Sequence, residues 1–265
     1  AGLWAVLALT VAAPLLAMLA SALVPTYGVA LGPDTVTLTH FREVLFTQAV
    51  TTRALANSAA LALAAGVLVA GLALAVAALG RGRFARAGQG AVLAAEVAYA
   101  VPGLVISVAF IIAFLRPLPV LGLSIYGTHA IILMAYLSAF LALGLKPVGV
   151  AWAALDPALQ DAARVSGAGF WRRLWRIDLP LVAPAAASGA VMVMLTAWNE
   201  VTLSSILWTR GTETLGTVIF NYEDGGYTTL AAAMSVVSVV ATLGLMALLD
   251  RLGRGLPPGI VPWRD

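Results

Sequence analysis

The 265-residue chain has no cysteine, and only 10% of its residues are charged. Without cysteine there is neither a disulfide scaffold nor a thiolate metal site, and the redox compartment stays unread. So few charges cannot cover a soluble globule, where about 25% is usual. Apolar residues make up 62% instead, so the solvent of this chain is largely lipid. Disorder is excluded too, because disordered chains are rich in charge and poor in apolar residues. Lysine occurs once, at Lys146, so a phosphate-binding G-x-x-x-x-G-K-[S/T] loop is impossible. The two histidines, His40 and His129, are far apart in sequence, and neither has a neighbour at metal-ligand spacing. Neither G-x-S-x-G nor H-E-x-x-H is present, and no pair of buried ionisable or nucleophilic groups stands out. The net charge of +3 is too small to imply nucleic acid. These absences favour a non-enzymatic membrane role without a metal.

What is present is long apolar sequence. A spanning helix needs about 20 mostly apolar residues. Six segments qualify: 3–25, 54–79, 89–115, 127–146, 180–200 and 229–250. The fold class is therefore an all-α integral membrane protein, read as one transmembrane unit over 1–265. Pro102-Gly103 interrupts the third segment and Pro184 lies in the fifth, breaks that neighbouring helices can satisfy. A β-barrel would instead show alternating segments of about ten residues. Ala20-Ser21-Ala22 resembles a cleavage site, but no Lys or Arg precedes the first apolar run, so that run is read as a retained span. The start at Ala1 rather than Met is compatible with a trimmed subunit or with one half of a longer polypeptide.

Orientation follows Lys and Arg. The segments 80–88 (Arg81, Arg83, Arg86), 146–179 (Lys146, Arg164, Arg172, Arg173, Arg176) and the tail after 250 (Arg251, Arg254, Arg264) hold 11 of the 15 positive residues. These regions, and with them both termini, are expected on the cytoplasmic side. The loops 26–53, 116–126 and 201–228 are expected outside.

Residues 151–180 read AWAALDPALQDAARVSGAGFWRRLWRIDLP. Asp156-Pro157 is a helix start, with Asp capping free N–H groups and Pro at the first helical position. The helix should run to about Ser166, with Leu155, Leu159, Ala162, Ala163 and Ser166 on one side. Asp161 and Arg164, three apart, can pair. Gly167 fits the left-handed position that ends a helix. Phe170, Trp171, Leu174, Trp175 and Ile177 then alternate with three arginines in a second amphipathic helix, suited to anionic lipid and headgroup contact. Lipid does not explain 156–167, whose small-residue surface and glycine hinge suit a protein partner.

Asp161-Ala162-Ala163, three residues, Gly167, nine residues, Ile177, one residue and Leu179-Pro180 match the E-A-A-x3-G-x9-I-x-L-P signature in every fixed position but the first. There Asp161 replaces Glu, keeping the charge. On these residues the chain resembles the inner-membrane permease subunits of binding-protein-dependent ABC importers over about residues 50–250. The resemblance implies a coupling helix seated in a groove of a cytosolic ATPase subunit, which binds ATP and Mg while this chain binds no cofactor itself. It also implies a second permease half, identical or related, an extracytoplasmic substrate-binding protein, and a multi-pass location in the bacterial inner membrane. The expected coupling residues are Asp161, Ala162, Ala163, Gly167, Ile177, Leu179 and Pro180.

Four stretches narrow the resemblance towards ferric iron permeases: 99–103 (YAVPG), 126–128 (YGT), 198–204 (WNEVTLS) and 222–227 (YEDGGY). Polyamine, thiamine and phosphonate permeases share parts of this pattern. A hard ferric cation prefers oxygen ligands. Asn199 and Glu200 should lie at the external mouth, either meeting a cation or a docked protein or simply ending a helix in solvent. Glu223 and Asp224 suit a binding-protein contact or a polar turn. Glu96, about 10 Å into the third span, should line the pathway or hold a neighbouring helix. Ser58, Ala62, Gly66 and Ala70, and the run 185–190, are helix-packing faces. Two other readings compete. One is an ATPase-independent secondary transporter or channel, which would place more ionisable groups at the midplane. The other is a scaffold docking some other protein.

Overall fold

The computed structural model describes residues 2–80, 84–117, 122, 124–255 and 259–263. Arg81, Arg83, Arg264 and part of the 116–126 loop, used above for orientation, lie outside these residues. The described residues hold helices and no strand. Five helices are long and apolar enough to cross a membrane, and six spans result if one bent pair counts as a single crossing. They are α1 (Trp4–Ala22), α2 (Ala49–Leu79), the pair α3 (Ala85–Ala100) and α4 (Gly103–Phe114), α5 (His129–Ala153), α7 (Phe170–Trp198) and α10 (Thr228–Leu252). Shorter helices join them, among them α6 (Pro157–Val165), α8 (Ser204–Leu207) and α9 (Leu215–Asp224), and a short helical stretch at Thr39–Arg42 and Glu43–Thr47 lies between α1 and α2.

The centre of the bundle is α2, α5 and α7, which pack closely because small residues let their backbones approach. Ser58, Ala62 and Gly66 are buried on α2, as are Ala186 and Gly189 on α7. A Cβ on Gly66 would meet the Ala190 carbonyl oxygen at 2.7 Å, and one on Gly189 would meet Gly144 Cα at 3.1 Å. The expected packing faces are therefore packing faces. By contrast, α1 docks mainly on α10 and is almost entirely uncovered.

Four expected boundaries are corrected. The third segment is not one gently broken span: α3 and α4 meet at 111°. Val101 and Pro102 are both extended (ψ 131 and 135), as the proline ring demands of the residue before it. At 16 residues, α3 is about 24 Å long, short of the roughly 30 Å hydrocarbon core. Second, α5 does not stop at 146 but runs through Lys146 and Pro147 to Ala153. Lys146 thus sits within a helix rather than in a loop, its ammonium 5.6 Å from the Tyr99 ring centroid. Third, the amphipathic stretch after Gly169 and the fifth span form one helix, α7, joined by a π-helical turn at Leu174–Asp178. Fourth, the 201–228 loop folds into α8 and α9, whose Leu207, Leu215 and Val218, with Leu203 just before α8, enter the main core.

Candidate functional site

Asp156 caps α6 as the sequence predicts, its Oδ1 accepting from the Ala158 N–H at 2.8 Å, with Pro157 at the first helical position. Gly167 has φ +75. The Gly167 N–H donates to Arg164 and the Ala168 N–H to Ala163, both at 2.9 Å, the paired bonds of a glycine-terminated helix end. No atom lies within 4 Å of a Cβ built at Gly167, so conformation rather than space selects glycine.

The faces of α6 divide differently from expectation. Ala163 alone is buried, and Gln160 beside it donates to Asp178 on α7 at 3.4 Å. Leu159, Ala162 and Ser166, expected on the same side as Ala163, are exposed. Asp161 and Arg164 pair at 3.5 Å with side chains 71% and 63% exposed. Val165 is 90% exposed. The helix is therefore anchored on one side and presents Asp161, Ala162 and Val165 on the other. Ile177 and Leu179 are partly buried near the π-turn, and Pro180 opens the regular part of α7.

The other candidates fall in three separate places. Glu96 is exposed and lines a cleft of about 450 Å³ between the ends of α2 and α5 and the flank of α3, beside Gly88, Leu145 and Trp152. Asn199 is tied to α10: its Oδ1 accepts from Thr242 Oγ1 at 3.2 Å, and Thr242 in turn accepts from the Trp198 indole at 3.1 Å. Glu200 offers no free carboxylate to the mouth. Its two oxygens accept from the Leu203 and Ser204 N–H groups at 2.6 and 3.0 Å, capping α8. Burial pushes the Glu200 carboxyl above its ordinary value, and the two backbone donors oppose that rise. Asn199 and Glu200 nevertheless line a separate cavity of about 500 Å³ with Tyr99, Gly103 and Thr202 at the α3–α4 break. Glu223 and Asp224 are exposed at the end of α9.

One polar cluster was not legible from the sequence. Arg53 on α2 pairs with Glu213 at 3.4 Å, Asn57 donates to the Gly211 and Glu213 carbonyls, and Ser58 accepts from the Leu215 N–H. The partners are more than 150 positions apart, so no local pattern reveals them. Burial raises the Glu213 carboxyl, but the Gly211 and Glu213 amides and the Arg53 guanidinium outweigh it and hold the group below its ordinary value. A depressed folded value stabilises the fold above the unfolded value and loses that contribution as pH falls through the folded one. Glu213→Gln should therefore cost about 1 kcal/mol near pH 7, a hydrogen bond to charge discounted for the half-exposed Arg53. Thermal unfolding in detergent should show parent and variant converging below pH 4.5, the ordinary value for the group.

Residues 68–261 match the family described as binding-protein-dependent transport system inner membrane component. The chain belongs to this family. Among its relatives, a permease protein assigned to 2-aminoethylphosphonate transport in Salmonella typhimurium is 27% identical over 157 residues, 59% of this chain and 58% of the relative. The chain thus spans little more than half the length of that relative. A ferric transport system permease protein of Actinobacillus pleuropneumoniae is 27% identical over 152 residues, 57% of this chain and 22% of the relative. Among solved structures, a permease chain of the bacterial alginate ABC transporter in complex with its pentasaccharide-bound periplasmic protein superposes with a TM-score of 0.73. It is 17% identical and covers 96% of this chain and 94% of its own. A chain of the inward-facing MetNI methionine ABC transporter gives 0.61 at 18% identity, covering 78% and 95%. At such identities these structures speak for the fold. The chain is a multi-pass membrane permease of ABC importer fold, in a family of transport components.

Proposed function

We propose that this chain, as one transmembrane unit, is the substrate-conducting half of an ATP-driven importer, paired with a second permease half and driven by a cytosolic ATPase that binds ATP and Mg. The observation that carries the reading is α6: a short helix anchored to the bundle through Ala163 and Gln160, with Asp161, Ala162 and Val165 left outward for a partner. In this reading both termini and α6 face the cytoplasm, and a binding protein docks at the opposite end near Glu223 and Asp224. ATP can drive movement only if the closed ATPase dimer prefers one placement of α6. The anchored inner face and the glycine-ended turn let α6 act as a lever. Glu96, on the cleft between α2, α3 and α5, and the Tyr99–Asn199–Glu200 cavity are the stations we assign to the pathway.

For substrate we propose ferric iron, supported by the ferric relative and by the oxygen-bearing side chains of Tyr99, Thr196, Asn199 and Thr202 in an otherwise largely apolar lining. The competing substrate is a phosphonate, favoured by the Salmonella typhimurium relative. Uptake by a strain lacking the chain and complemented with it separates them. Radiolabelled ferric iron uptake should fall at least about ten-fold on deletion and return on complementation, with 2-aminoethylphosphonate uptake unchanged. The reverse pattern would replace ferric iron with phosphonate.

A further inference from the structure

Lys146, the only lysine in the chain, lies about 10 Å inside the end of α5 at Ala153. A lysine near the end of a spanning helix ordinarily extends towards the nearer surface. This one points the other way. Helix side chains lean towards their own N-terminus, which for α5 is the far end at His129. The ammonium accordingly sits 5.6 Å from the centroid of the Tyr99 ring, and Tyr99 lies about 21 Å along α3 from Ala85. Lys146 is exposed, and among the described residues it pairs with no carboxylate. Helix spacing places it between the two cavities assigned to the pathway. Val92, Glu96 and Tyr99, stepping by four and three, form one stripe of α3; Ala139, Lys146 and Ala153, each seven apart, form one stripe of α5. Val92, Glu96 and Ala153 line the 450 Å³ cleft, and Tyr99 and Ala139 line the 500 Å³ cavity. Lys146 is thus the midpoint of a stripe that joins them. The one acid in the lining of the 500 Å³ cavity, Glu200, already commits both oxygens to the Leu203 and Ser204 N–H groups.

We propose that Lys146 is a charge filter and that cargo passes it as a net anion: ferric iron crosses with its own anionic oxygen ligands rather than as a bare ion. The inference rests on the importer reading above. A bare trivalent cation in a low-dielectric passage needs negative oxygen close by, and this cavity offers neutral hydroxyls and an ammonium instead. An anionic chelate has the opposite balance. Its oxygens accept from the ammonium, in the stronger, charge-assisted class of hydrogen bond, and from the lining hydroxyls of Tyr99 and Thr202. Glu96, one turn back along α3 towards the cleft, repels the same anion, so Lys146 holds it weakly enough to let it go. A phosphonate carries anionic oxygen of the same kind, and the test separates the two.

The test uses the full transporter in proteoliposomes and a membrane-impermeant sulfosuccinimidyl acetate, with acetylation of Lys146 read by peptide mass spectrometry. Lys146 should be acetylated from water. Ferric iron in excess citrate should slow the reaction about ten-fold relative to iron-free citrate, the effect of one charge-assisted contact. Hexaamminecobalt(III), a trivalent cation without anionic ligands, should leave the rate unchanged. In complemented cells, Lys146→Gln should lower ferric citrate uptake about ten-fold with the ATPase still co-eluting, and Lys146→Arg should keep most of it. Protection by the cobalt cation rather than by ferric citrate, or full uptake in Lys146→Gln, would overturn the filter. Protection by methylphosphonate but not by ferric citrate would overturn the iron chelate as cargo. Absence of acetylation in a transporter that still imports with ATP would place Lys146 off the pathway and overturn this inference alone. A parent without ATP-driven uptake of either cargo would overturn the importer reading on which it rests.

Discussion

Asp161→Arg is expected to insert and fold normally but to lose the ATPase subunit during purification. The carboxylate is 71% exposed and serves the bundle in no way; its one partner, Arg164, is also largely exposed, so the pair contributes little to folding. Reversal places a second guanidinium three residues before Arg164, adding like-charge repulsion of a few tenths of a kcal/mol within α6. The larger loss comes where the exposed face is covered. A charge left unpaired in a protein interface costs about 2–5 kcal/mol, a 30-fold or greater fall in affinity. Asp161→Glu keeps the charge and should behave like the parent. Co-elution from detergent reads all three. Equal ATPase retention would remove Asp161 from the interface. An anionic lipid surface as the partner of this face predicts the opposite order, since an added guanidinium strengthens such attachment.

Gly167→Val and Gly167→Pro should uncouple hydrolysis from transport, with Gly167→Ala the mildest of the series. The backbone at φ +75 costs an L-residue about 1–2 kcal/mol, more for a β-branched one. That is a factor of about 5–30 in the population of the native turn. Proline adds a second fault, because it cannot keep φ positive and removes the N–H that donates to Arg164. Since the space around Gly167 is open, sterics predict no ranking, and a graded loss from Ala to Val to Pro identifies the conformation as the cause. In reconstituted vesicles, ATP hydrolysis should persist while uptake per ATP falls at least about five-fold. Normal uptake in Gly167→Pro would show that the turn is not part of the lever.

The α6 turn was legible because its determinants are local: a capping Asp, a first-turn Pro and a closing Gly within twelve residues. Membrane residence was equally legible, since apolar length is a one-dimensional property. The errors share a cause. Whether Pro102 kinks a span or turns it through 111° depends on what Gly103 meets, here the Thr202 methyl at 3.3 Å from a built Cβ, a contact far away in sequence. The fourth segment was expected to end at 146, yet α5 runs on through Pro147, because a single missing N–H is tolerated where α7 packs against it at Gly189. The α8 and α9 helices are too short to register as spans and too polar to look buried. Glu200 likewise reads as a solvent-facing acid until α8 is seen to need a cap.

If α6 is the lever, an ATPase subunit must cover its outward face. Because the chain has no cysteine, Val165→Cys provides a single thiol at a position 90% exposed, to which a benzophenone maleimide can be attached. Photolysis of the assembled transporter should join this chain to the ATPase subunit from Val165→Cys, and from Ala162→Cys on the same face, but not from Glu223→Cys at the end of α9. Labelling of the ATPase from Glu223→Cys, or from neither α6 position while the ATPase remains bound, would contradict the account.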